Sequence, residues 1–180
     1  MESILLIGCG NMGGAMLTGW LAAGIPASRF TVVDPYLADA PAGVELLREL
    51  PQRGFDAILL GVKPQLLGDV APQLAKADAL LLSILAGVEL DSLAARFPAA
   101  RGLVRIMPNL AAAIGKSPIA LASRGLDDAG RAGVLALMAP LGTPEWIDES
   151  LFDAVTALAG SGPAFVYRFI DALAAGAAAL

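Results

Sequence analysis

Short, continuously apolar runs alternate along this chain with longer amphipathic stretches. Ser3 to Gly8, with Ile4-Leu5-Leu6-Ile7 at its centre, predicts a buried strand, and Met12 to Ala23 a helix. Phe30 to Asp34 is short and rich in β-branched residues and predicts a second strand; Ala42 to Leu50 predicts a helix. Asp56 to Val62 predicts a third strand, Gln65 to Lys76 a helix that Pro72 can kink or split, and Ala79 to Leu85 a fourth strand. Leu90 to Arg96 predicts a short helix and Leu103 to Met107 a fifth strand, ended by Pro108. Ile119 to Ser123 and Pro144 to Ile147 predict two more strands around a helix from Asp127 to Ala139, with Asp127 or Asp128 as its N-cap. Apolar strands separated by helices predict an α/β fold: a Rossmann-type, doubly wound, mainly parallel sheet covered on both faces.

The pattern changes near residue 150, which divides the chain into a sheet domain over residues 1–149 and a helical segment over 150–180. Leu151 to Ala159 predicts a helix, Gly160-Ser161-Gly162-Pro163 an interruption, and Pro163 the first residue of a new helix running to Leu180. That last helix is apolar nearly all round, with only Arg168 and Asp171 charged, so something must cover it. Two mid-helix charges argue against a membrane span. The expected cover is a larger helical region or a second subunit.

Composition narrows the function classes. With 180 residues, 57% hydrophobic and only 16% charged, the chain is not of the disordered type. A net charge of −5, a pI near 4.6 and no Lys/Arg cluster argue against nucleic acid as a partner. There is no histidine and one cysteine, Cys9, so imidazole bases, His-ligated metals and Cys-rich zinc sites are excluded within this sequence, and no metal is expected. A single cysteine fits a reducing, cytoplasmic setting. The N-terminus lacks the basic region of a secretion signal, and its apolar run is too short to span a bilayer.

The candidate chemistry begins at Gly8-Cys9-Gly10-Asn11-Met12-Gly13, a Gly-x-Gly-x-x-Gly string between the first strand and the first helix. Gly8 permits the tight turn, Gly10 lets main chain approach a diphosphate, and Gly13 lets helix and strand pack closely. The helix N-terminus offers free N–H groups and a partial positive charge. Asp34 ends the second strand about 20 residues later, where an acidic side chain accepts hydrogen bonds from an adenosine ribose. A carboxylate there suits the 2′-hydroxyl of NAD and repels the 2′-phosphate of NADP. Lys63 after the third strand is a candidate for a ribose or phosphate, or a solvated lysine; Asn109 after Pro108 is a candidate for a carboxamide or substrate, or a turn former. Cys9, with no histidine to activate it, is expected to be a packed loop residue rather than a nucleophile.

Five segments together resemble the pyrroline-5-carboxylate reductase family: Ile7 to Gly13, Val62-Lys63-Pro64, Ala86-Gly87-Val88, Arg105-Ile106-Met107-Pro108-Asn109, and Asp153 to Ala164 with its Gly160-Ser161-Gly162-Pro163. The resemblance covers essentially the whole chain and implies hydride transfer from NADP(H) or NAD(H) to the C=N bond of 1-pyrroline-5-carboxylate, giving L-proline. It implies that Ile7, Gly8, Cys9, Gly10, Asn11 and Met12 hold the pyrophosphate, that Asp34 lies at the ribose, and that Val62, Lys63, Pro64, Ala86 and Gly87 line the path to the nicotinamide. It also implies that residues 150–180 begin a helical dimerisation domain, so a homodimer or higher homo-oligomer is expected. Asn109, Ser161, Gly162 and Pro163 are substrate-pocket candidates, with N–H groups near Gly160 to Pro163, at a helix start, expected to help shape the pocket. Where the family commonly reads Met-Pro-Asn-Thr-Pro, Leu110-Ala111 follows Asn109 here, and Leu85 precedes Ala86-Gly87-Val88 in place of alanine; the family's downstream Ser-Pro-Gly-Gly-Thr-Thr segment has no counterpart in these 180 residues. A β-hydroxyacid dehydrogenase-like enzyme and a non-catalytic nucleotide-binding fragment are the competing readings.

Overall fold

The computed structural model describes residues 1–179. Its strands are β1 (Ile4–Ile7), β2 (Phe30–Val33), β3 (Glu45–Leu47), β4 (Ala57–Leu60), β5 (Leu80–Ser83), β6 (Gly102–Met107), β7 (Ser117–Arg124) and β8 (Gly142–Trp146). They form one sheet in the order β3-β2-β1-β4-β5-β6-β7-β8. The first six are mutually parallel, and the order reverses at β1, between β2 and β4. β7 turns antiparallel to β6, and β8 runs parallel to β7. This is the doubly wound, mainly parallel architecture that the apolar runs predict, and its switch point opens beyond the C-terminal end of β1.

Strand periodicity divides the core in two. Ile4 and Leu6 face one side, with Met16, Leu17 and Trp20 of α1 (Asn11–Ala22) and Val134, Leu137 and Met138 of α4 (Asp128–Met138). Trp20 stacks on Phe30 with ring centroids 5.3 Å apart, and its indole N–H donates to the Leu137 carbonyl at 2.8 Å. Leu5 and Ile7 face the other side, with Leu67, Ala71 and Leu74 of α2 (Leu67–Leu74), Leu90 and Leu93 of α3 (Leu90–Arg96), and Phe152 of α5 (Phe152–Val155). The helix predicted over residues 65–76 is divided, but not at Pro72: residues 64–66 form a 3₁₀ turn and α2 follows, with Pro72 inside it. Asp127 is the N-cap of α4, its carboxylate accepting from the Gly130 N–H at 2.8 Å.

Two expectations fail. Ala42 to Leu50 is not a helix: Glu45–Leu47 is β3, paired in parallel with Thr31–Val33. Pro41 and Gly43 (φ +84°) precede it, leaving too short an uninterrupted stretch for a stable helix, and the open edge of β2 offers its backbone partners instead. The Thr31 hydroxyl donates to Glu45 at 3.0 Å, and Arg53 pairs with the same carboxylate. The second failure is the break at Gly160-Ser161-Gly162-Pro163. Helix α5 passes through a π-helical turn, residues Thr156–Ser161, straight into α6 (Gly162–Ala178). Ser161 and Gly162 are both right-handed helical, Gly162 donates its N–H to the Ala157 carbonyl five residues back, and Pro163 sits in the first turn of α6, where a missing N–H is tolerated.

No residue of α6 is buried, and Phe165, Tyr167, Phe169 and Leu173 all point to solvent. Arg168 and Asp171 pair with each other at 2.8 Å on its surface. Among the described residues no helix is long and apolar enough to cross a membrane.

Candidate functional site

The turn after β1 is built by contacts that leave no room for side chains. Gly8 has φ +83°, and a Cβ on it would stand 2.9 Å from the backbone of Gly61 and Val62, after β4. A Cβ on Gly13 would stand 2.8 Å from the Gly8 carbonyl. Gly10 is different. It is the N-cap of α1 in an extended conformation, and a Cβ there would meet nothing within 4 Å. The fold does not need glycine at position 10; the open space in front of it is what a diphosphate requires.

The Gly14 N–H makes the first helical bond, to the Gly10 carbonyl at 2.7 Å. The N–H groups of Asn11, Met12 and Gly13 precede any helical acceptor and point out of the helix end. Main-chain donors, the positive end of the helix dipole and an empty approach to Gly10 together fit a dinucleotide diphosphate.

Asp34 organises this turn. One carboxylate oxygen accepts from the Cys9 N–H at 2.9 Å, and the other from the N–H groups of Tyr36 at 2.9 Å and Leu37 at 3.1 Å. Burial pushes the Asp34 carboxyl up, but the three backbone donors and the charge of Arg48 outweigh it and hold the group below the usual carboxylate range. Arg48 donates to the carbonyls of Asp34 at 2.7 Å and Leu37 at 2.6 Å, closing the loop after β2. The Cys9 thiol is buried and pushed up, first by that burial and then by the Asp34 charge, a poor setting for a nucleophile. Because the native state depresses the Asp34 pKa, its carboxylate stabilises the loop above the ordinary aspartate value of about 3.9, and that contribution is lost as the pH falls through the lower folded value. Asp34→Asn is therefore expected to lower the urea midpoint at pH 7 and to narrow its gap from the unsubstituted protein as the pH is taken below about 4; an unchanged gap would show that the carboxylate does not supply the stability.

A cleft of about 1540 Å³ brings together Ile7, Gly8, Gly10, Asp34, Val62 and Lys63, with Tyr36, Phe55 and Leu66 also on its walls. Lys63 is exposed at the mouth, and Pro64 begins the 3₁₀ turn beyond it. Ala86 and Gly87 form a tight turn after β5, and Met107 ends β6 with Pro108 and Asn109 following it; these segments lie further along the same C-terminal edge of the sheet, outside that cleft.

Both polar atoms of Asn109 are engaged by the protein. Its side-chain oxygen accepts from the Ala111 N–H at 3.0 Å, and its side-chain nitrogen donates to the Ala159 carbonyl at 3.0 Å. Ser161 is exposed on the π turn, while Gly162 and Pro163 are half-buried. The N–H groups expected at a helix start do not occur there: the helix is continuous, the Gly162 N–H is bonded to Ala157, and Pro163 has none.

Arg105 drew no attention from the sequence beyond its place in a motif. It is buried on β6, bonded to Glu149 at 2.7 Å, with its guanidinium 4.4 Å above the Phe152 ring. The same Glu149 oxygen accepts the Leu90 N–H at 2.8 Å, at the start of α3. Sheet, α3 and the start of the C-terminal helices thus meet at one guanidinium. A charged residue inside an otherwise apolar strand was the available signal.

A doubly wound sheet with this glycine turn at its switch point is a dinucleotide-binding oxidoreductase fold. A family model described as NADP oxidoreductase, coenzyme F420-dependent, matches residues 3–87, and one for pyrroline-5-carboxylate reductase dimerisation matches residues 149–180. The chain is 34% identical to pyrroline-5-carboxylate reductase of Methanosarcina acetivorans, over 98% of this chain and 70% of that protein, and 31% identical to the Escherichia coli enzyme, over 96% and 69%. The crystal structure of Plasmodium falciparum pyrroline carboxylate reductase with NADP bound superposes with a TM-score of 0.85 at 26% identity, covering 100% of this chain and 71% of that one. The chain belongs to the pyrroline-5-carboxylate reductase family, and it is an NAD(P)-dependent oxidoreductase.

Proposed function

We propose that the C-terminal edge of the sheet, from the glycine turn to the π turn, is where this chain binds NAD(P)H and reduces 1-pyrroline-5-carboxylate to L-proline. The observation that carries the reading is the open space at Gly10, the N-cap of α1, where a Cβ would meet nothing within 4 Å beyond its chain neighbours. Gly8 to Met12 hold the diphosphate, Asp34 faces the ribose, and Val62, Lys63, Pro64, Ala86 and Gly87 line the way to β6. Bound there, NAD(P)H supplies the hydride. The chain's part is placement: a protonated C=N bond already accepts hydride, so a site without histidine suffices if it fixes the ring and excludes water. Ser161, on the exposed side of the π turn, is the hydroxyl this reading puts beside the substrate.

Asp34 keeps its charge at the end of β2, and one acceptor position of its carboxylate remains beyond the three backbone donors. That favours a 2′-hydroxyl, hence NADH, over a 2′-phosphate. Residues 1–149 serve as the nucleotide domain and 150–180 begin the dimerisation domain, whose exposed apolar helix is covered by a second copy in a homodimer or larger assembly. A cytoplasmic location accords with a lone, buried cysteine. The test is steady-state reduction of pyrroline-5-carboxylate with each nucleotide, alongside sedimentation. Proline formation, a higher kcat/KM with NADH and a dimeric or larger mass are expected; turnover of a 3-hydroxy acid and none of the imine would favour the β-hydroxyacid dehydrogenase reading.

A further inference from the structure

We propose that Asn109 is a positioning residue that holds the π turn open at the end of the active-site edge, acting through the Ala159 carbonyl rather than by touching substrate. In an α-helix that carbonyl would accept from the N–H four residues on. That residue is Pro163, which has no N–H. The Asn109 side-chain nitrogen stands 3.0 Å from the Ala159 oxygen and supplies a donor from outside the helix. Its other arm is fixed as well, because the Asn109 oxygen caps the turn of residues 110–114 through the Ala111 N–H, and the Asn109 N–H donates to the Ser117 hydroxyl at 2.9 Å. The residue is thus tied to the strand edge by its backbone and its side-chain oxygen, and it reaches across to the helix with its side-chain nitrogen.

A second contact sits beside it. Gly160 lies so close to Met107 that a Cβ there would be 3.0 Å from the methionine methyl group. The end of β6 and the π turn are therefore matched surfaces, joined by one hydrogen bond and one tight apolar contact. A π turn carries an extra residue relative to an α turn, so its collapse would rotate α6 by about 100° about the helix axis. That rotation would carry Ser161 and all of α6 away from the sheet edge. Asn109 thus sets which side of the helix faces the nucleotide half.

The inference takes from the proposed function only that the substrate lies at the π turn. Asn109→Ser isolates the donor: its hydroxyl oxygen can still cap through the Ala111 N–H, and it is too short to reach Ala159. Pro163→Ala restores the helix's own donor to the same carbonyl. A double-mutant cycle of the two, in the full chain, is read in two ways. By urea denaturation, which needs no turnover, Asn109→Ser is expected to lower the midpoint clearly on its own and scarcely at all in the Pro163→Ala background. By kinetics, Asn109→Ser is expected to raise KM for the imine about tenfold, with the nucleotide Kd within about twofold. Asn109→Asp, which sets a carboxylate oxygen against the Ala159 carbonyl, must lower the midpoint at least as far as Asn109→Ser. Equal, additive urea effects in both backgrounds would overturn the clamp, and so would an unchanged KM in an enzyme that reduces the imine normally. An unsubstituted enzyme that fails to reduce the imine would count against the substrate reading, and the urea cycle would still decide the clamp.

Discussion

Replacing Gly10 with valine is expected to cost the fold no more than about 1 kcal/mol, through a poorer N-cap, and to weaken nicotinamide nucleotide binding by about 100-fold or more, equivalent to about 2.7 kcal/mol. The asymmetry follows from the geometry. Gly10 has φ −69° and ψ −161°, which any L-residue adopts, and a Cβ there touches no protein atom. The added methyl groups would fill the approach to the free N–H groups of α1 and hold a diphosphate away from them. Gly8→Ala makes the contrast: its positive φ and its 2.9 Å approach to Gly61 would damage the fold itself. Isothermal titration with NADH and NADPH, beside thermal unfolding of the same sample, checks the claim. Undiminished binding by the valine variant would mean that the diphosphate lies elsewhere.

Arg105→Met is expected to destabilise the chain by about 3 kcal/mol. Methionine keeps much of the packing over Phe152 but removes the guanidinium, leaving Glu149 with only the Leu90 N–H. The Arg105 side chain is 8% exposed and that of Glu149 31%, so the remaining carboxylate is partly desolvated without a counter-charge. Adding Glu149→Gln should recover part of the loss, since a neutral amide still accepts from Leu90. Urea unfolding of the three variants measures this; a loss within a few tenths of a kcal/mol for Arg105→Met would show that the pair is not a strut.

Sequence alone disclosed most of the sheet, because buried parallel strands read as uninterrupted apolar runs, and Ile4-Leu5-Leu6-Ile7 and Ala57-Ile58-Leu59-Leu60 are of that kind. It misjudged Glu45-Leu46-Leu47, whose strand character comes from the vacant edge of β2 and not from local preference. The glycine turn was legible because its spacing, set between an apolar strand and an amphipathic helix, is itself the signal. The partners of Asp34 were not, since the Cys9 N–H that it accepts lies 25 residues away in sequence. The helical break was misread at Gly160 to Pro163 because glycine and proline signal an end only when nothing else satisfies the backbone. Here Asn109, 50 residues earlier, supplies that satisfaction.

The two margins of the sheet have a consequence for self-association. β3 is only three residues long and carries Glu45, paired with Arg53; β8 at the opposite rim carries Pro144 and Glu145. Brevity, charge and a proline that cannot donate make both rims poor templates for an incoming strand. Neither rim offers a long, regular ladder to a strand of another copy, so fibril growth from either border is disfavoured.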